Sequence, residues 1–158
     1  MDRLSLYHKT VDILYAAYFN DTLRHNKCTA CAVGNMVAAN MGIEMNIDLE
    51  NGAIYWANCS PQWDNVFMTA QNKQWFNVDG YQGEAKRQID STGYSVVELA
   101  AIERRFESAD RGNSDEDYMF NGLVDVLETL KQIHGIEDNE PEVKRFREHH
   151  ETKLLQQA

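Results

Sequence analysis

Phe120, Leu123, Leu127, Leu130 and His134 fall at alternating three- and four-residue steps, and Val124, Val126 and Ile133 broaden the same stripe. Side chains at that spacing share a side only in a helix that turns one face to a core. Asp115, Glu116 and Asp117 stand where the first turn belongs, and negative charge there complements the helix dipole. Gly135 supplies the stop. Gly122, inside the helical run, points to a close crossing by a neighbouring element rather than to a site.

The same periodicity recurs along the chain. Leu4, Tyr7, Val11, Leu14, Tyr15 and Tyr18 predict an amphipathic first helix, which Asn20 and Asp21 end by competing for backbone hydrogen bonds. A second helix is expected from about Thr29 to Asn40, with Gly42 just past its end. Ala30, Ala32, Gly34, Ala38 and Ala39 make it rich in small residues, so a neighbour is expected to approach its backbone closely. A short helix follows over Gly83–Asp90. Ser95 with Glu98 then forms a capping-box pattern ahead of Leu99, Ile102 and Phe106. Pro141 suits the first turn of a charge-rich C-terminal helix. Its apolar residues, Val143, Phe146, Leu154 and Leu155, are few, which predicts weak packing or docking on a partner. His149 and His150 are expected in solvent, and His134 as a packed or capping residue.

Residues 43–80 break the helical pattern. Ile43, Met45 and Ile47 alternate with Glu44, Asn46 and Asp48, and Asn51-Gly52 is a strong turn pair ahead of Ala53–Trp56. Trp56, Trp63, Phe67, Trp75 and Phe76 read as anchors that hold an irregular segment on a core. The expected fold is mainly α: a helical bundle of about five to six helices, with a small irregular or β-hairpin insert around residues 43–80. Residues 1–158 form one domain, and 140–158 are its charge-rich end.

A hydrophobic share of 43% is too high for a disordered chain, so a packed core is expected. The formal net charge is −10, which repels phosphate backbones and argues against nucleic-acid binding. The one local basic run, Lys144, Arg145 and Arg147, is offset by Glu140, Glu142, Glu148 and Glu151. Neither a signal peptide nor an apolar run of membrane-spanning length stands out. The three cysteines include a C-x-x-C pair, a pattern of free thiols, metal or redox chemistry rather than of a disulfide framework.

His25, Cys28 and Cys31 form an H-x-x-C-x-x-C run at the entry to the second helix, and Cys59 is the third thiol. Zinc accepts thiolate and imidazole in sets of four, so Cys28 and Cys31 with Cys59 and His25 are the candidate metal ligands. A thiol at a helix N-terminus with His25 as base or counter-charge would also suit redox or nucleophilic chemistry. Against both stands the plain reading that Cys28 and Cys31 are small buried residues. A second paired set of zinc ligands is missing, as is the βαβ context of a thioredoxin-like site. Asp115, Glu116 and Asp117 lack calcium-loop spacing.

Cys28-Thr-Ala-Cys-Ala-Val-Gly-Asn35, Gln88-Ile-Asp-Ser-Thr-Gly-Tyr94 and Tyr118-Met-Phe-Asn-Gly-Leu123 resemble a group of small uncharacterised proteins of Bacteroides-type bacteria and their phages. The resemblance spans most of residues 10–135 and carries no activity and no functional residue. It implies a phage or mobile-element product, acting in the cytoplasm of a bacterial host or built into a virion.

The expected function is that of a non-enzymatic interaction protein, with a protein partner or self-association and without nucleic acid or membrane. The alternative is a zinc- or thiol-dependent protein centred on Cys28 and Cys31, with His25 or Cys59.

Overall fold

The computed structural model describes residues 2–57, 59, 63, 66–67 and 81–157. Among these, six helices and two short strands follow in the order α1 (Arg3–Phe19), α2 (Ala32–Met41), β1 (Asn46–Ile47), β2 (Ile54–Tyr55), α3 (Tyr81–Ser91), α4 (Val96–Glu107), α5 (Asp115–His134) and α6 (Glu140–Gln157). A mainly helical bundle carrying a small antiparallel hairpin is thus the architecture. Asn46 pairs with Tyr55 and Ile47 with Ile54. Trp75 and Phe76 lie outside the described residues.

Local chemistry sets the helix ends. The Ser95 side chain accepts from the Glu98 N–H while Glu98 accepts from the Ser95 N–H, the reciprocal cap read from the sequence. Ser114 caps α5 ahead of its three acids. Gly42 and Gly135 end α2 and α5 at φ +66, a left-handed conformation that a Cβ would strain. Helix α2 begins three residues later than expected, because Cys31 is its N-cap and residues 28–30 form a turn ahead of it.

One core runs through the bundle. Tyr7, Val11, Leu14 and Tyr18 of α1 meet Val33, Met36 and Val37 of α2, Leu99, Ile102 and Phe106 of α4, and Leu123, Leu127 and Leu130 of α5. Trp56, Trp63 and Phe67 join it from the insert, as their size and amphipathic character demand. Leu4 departs from the stripe it was assigned to and is 55% exposed.

The C-terminal helix packs better than its sparse apolar content predicts. Phe146 is fully buried against Tyr15 and Tyr18, Arg145 lies over the Tyr15 ring and pairs with Asp12, and Lys153 reaches Asp21 and Glu116. The expectation that His149 and His150 are solvated is corrected here. His150 stacks on Phe120 with centroids 4.4 Å apart, and His149 meets the Tyr18 ring edge-on at 4.7 Å. Adjacent residues on a helix diverge by about 100°, which lets one address α5 and the other α1.

Candidate functional site

Loop 21–31, between α1 and α2, holds three of the four candidate ligands and touches almost every neighbouring element. Its backbone is braced from several sides. Arg24 donates to Asp21 O, Leu23 O and Gly52 O, which ties the hairpin turn to the loop. Asn26 takes φ +60, and its N–H is gripped by both Glu107 carboxylate oxygens at 3.0 Å. Thr29 Oγ1 donates to Ile54 O, while the Trp56 and Trp63 indoles donate to Thr29 O and Cys28 O at 2.8 Å.

Cys31 uses its sulfur as a helix cap. Its Sγ accepts from the Gly34 N–H at 3.3 Å, and its S–H donates toward Cys28 O at 3.7 Å. A thiol here takes the place that serine, threonine or an Asx residue usually fills. Gly34 passes so close to the Cys28–Thr29 peptide that no side chain fits. Asn35, buried behind it, donates to Thr22 O, Ala30 O and Cys31 O and accepts from Thr22 Oγ1. The Cys28–Asn35 motif therefore encodes a cap, a close approach and an amide staple.

Beneath Cys31 lies a group that sequence reasoning missed. Glu103 of α4 is 6% exposed and faces the Cys31 thiol. Burial pushes its pKa up to about 8; a hydrogen bond with Cys31 opposes the shift and the nearby Glu107 charge adds to it. Cys31 is likewise raised, by burial first and then by Glu103. A protonated acid beside a protonated thiol is the opposite of an activated nucleophile. The available signal was position: Glu103 follows Leu99 by four residues and precedes Phe106 by three, so it sits on the buried stripe.

His25 is committed elsewhere. Its ring lies between Phe106, with centroids 4.2 Å apart, and Tyr118, at 3.5 Å, and its Nε2 lies 3.1 Å from Phe106 O. Because a carbonyl only accepts, Nε2 carries the proton. Burial lowers the His25 pKa to about 4, with Arg111 opposing the charged form as well. Cys28 and Cys59 share a hydrogen bond, and burial followed by Cys28 raises the Cys59 pKa. None of the three cysteines, all among the described residues, is in a disulfide. The four candidate ligands thus fall into three places: Cys28 with Cys59, Cys31 with Glu103, and His25 in the ring stack. Among the described residues no three His, Cys, Asp or Glu side chains converge on a point where a metal ion would sit.

The outer side of the same loop opens on a cleft of about 610 Å³. Arg24, His25, Asn26 and Lys27 line it from the loop, Asn51 to Ile54 from the hairpin, Arg111 from the loop before α5, and Asp115, Tyr118 and Met119 from the start of α5. No described helix is long and apolar enough to cross a membrane. Comparison with family models, with curated proteins and with solved structures returns no match for this chain.

Proposed function

We propose that the chain is a non-enzymatic interaction protein that offers its hairpin to a protein partner or to a second copy of itself. One observation carries the reading: the hairpin exposes three large apolar side chains, with Leu49 95%, Tyr55 55% and Ile47 45% exposed. Large apolar side chains left exposed on one small hairpin are a mark of an association site. Supporting it, the polar groups of the Cys28–Asn35 motif are spent on capping and stapling, as described above. On the resemblance to phage and Bacteroides-type proteins, we read such a protein as a phage or mobile-element accessory or a virion component.

Sedimentation velocity over a range of concentrations, with capture from host lysate alongside, tests this. Wild-type protein is expected to self-associate or to retain a partner, and Leu49→Asp to abolish that without change in the thermal midpoint, because Leu49 contributes no burial. A wild type that stays monomeric and retains nothing that Leu49→Asp loses would defeat the reading.

A second reading, a zinc- or thiol-dependent protein, draws on the Cys28–Cys59 contact. Two adjacent thiols supply half a zinc set; Cys31 and His25 would have to leave their present partners to complete it. Elemental analysis with thiol titration before and after chelation decides it. The reading expects one zinc per chain and masked thiols that chelation frees; metal-free protein with unchanged titration ends the zinc version.

A further inference from the structure

The cleft between loop 21–31, the hairpin turn and the start of α5 carries a charge opposite to that of the molecule. The chain has a formal net charge of −10, yet the ionised side chains lining this cleft are Arg24, Lys27 and Arg111 against Asp115 alone. Arg24 spends its donors on carbonyls and pairs with the Asp21 carboxylate at 3.4 Å, so the charge open to a ligand rests on Lys27 and Arg111. Lys27 and Arg111 have no carboxylate within ion-pair distance among the described residues. Arg111 instead lies over the Tyr118 ring, 4.6 Å from its centroid, on the end of the stack that continues through His25 to Phe106. That stack fixes the guanidinium without consuming its hydrogen-bond donors.

We infer that this cleft binds a compact, doubly charged organic oxyanion, held between Lys27 and Arg111. Volume, charge and rigidity all favour it. A site of this size suits a small molecule. Two cations without a carboxylate partner among the described residues match two negative charges, and oxyanion contacts to arginine and lysine are charge-assisted. The walls are preformed: Arg24 to Gly52 O and Thr29 to Ile54 O lock the hairpin, and Glu107 locks Asn26. Little ordering remains for the ligand to impose. The acidic surface beyond the cleft excludes a phosphate polymer, because only a short anion stays within the positive region.

Calorimetric titration of the full chain at low salt, with phenyl phosphate and with succinate as probes, tests the site. At least one probe is expected to bind with a Kd below about 1 mM. Its identity reveals whether phosphate or paired carboxylates are preferred. Lys27→Gln and Arg111→Gln are each expected to weaken that binding about tenfold, the loss of one charge-assisted contact. Both side chains are exposed, so folding is unaffected. Lys144→Gln, a surface lysine on α6, controls for net charge and is expected to change nothing. Failure of both probes to bind, binding that survives the paired substitution, or equal weakening by Lys144→Gln would each overturn the proposal. None of these results bears on the hairpin tip, because Leu49, Tyr55 and Ile47 do not line the cleft.

Discussion

Gly34→Ala is expected to lower the thermal midpoint by about 5–10 °C, although alanine is the better helix former by about 1 kcal/mol. The physical reason is the partner of the added Cβ. It would overlap Cys28 O and stand 2.8 and 2.9 Å from the Thr29 carbonyl carbon and oxygen. These are backbone atoms of a turn held by Trp56, Trp63 and the Thr29–Ile54 bond, so they cannot swing aside as a flexible side chain would. Relief requires moving the turn, which strains the Cys31 cap and the Asn35 staple together. Overpacking of this kind costs about 1–3 kcal/mol and occasionally more. Gly83→Ala is the matched control: it lies in α3 with no described atom within 4 Å of an added Cβ, and it is expected to be neutral or stabilising. Melting curves of the two variants decide the matter. A Gly34→Ala protein as stable as wild type would show that the turn yields freely and that the motif has a different purpose.

Between pH 6.5 and 8 the wild-type protein is expected to lose about 2 kcal/mol of stability relative to Glu103→Gln. Glu103 has a folded pKa of about 8, raised from 4.5 by burial. Between those values the unfolded chain has released a proton that the folded chain keeps. Stability therefore falls as pH rises, by about 1.4 kcal/mol per pH unit. His25 works in the opposite direction. Its folded pKa of about 4 lies below its unfolded 6.5, so the unfolded chain binds the extra proton and stability rises with pH across that span. His134 and His149, both lowered by burial first, add to the same low-pH branch. The histidine effect is strongest below 6.5 and fades by about pH 7.5, while the buried thiols act near 9 and above. The difference between the two proteins across 6.5 to 8 isolates Glu103, because the histidines act equally in both. Denaturant titrations across it, for both proteins, give the slope directly. Equal slopes would mean that the carboxyl meets solvent when it ionises.

Periodicity alone determined a great deal of this molecule. The Phe120–His134 stripe, the Ser95–Glu98 cap and the glycines at 42 and 135 report on contacts within about four residues, which a helix satisfies from its own chain. The hairpin at Asn51-Gly52 was legible for the same reason. Gly34 and Gly122 announced close approach as well. What approaches them, the Cys28–Thr29 turn in one case and Phe106 O with His25 in the other, is a fact of distant residues.

The site shows where local information ends. His25 and Cys31 share a short motif, yet one ring is drawn to Phe106 and Tyr118 while the other side chain turns to Gly34 and Glu103. Spacing along the chain could not separate them, because the deciding partners, Phe106, Tyr118 and Glu103, lie about 70 to 95 residues away. The pairing of His150 with Phe120 and the gathering of Lys27 and Arg111 at one cleft are of the same kind. Sequence determined which segments coil and which face each buries. Tertiary packing decided which charges lose water and which keep it, since burial belongs to a surface that several elements make together.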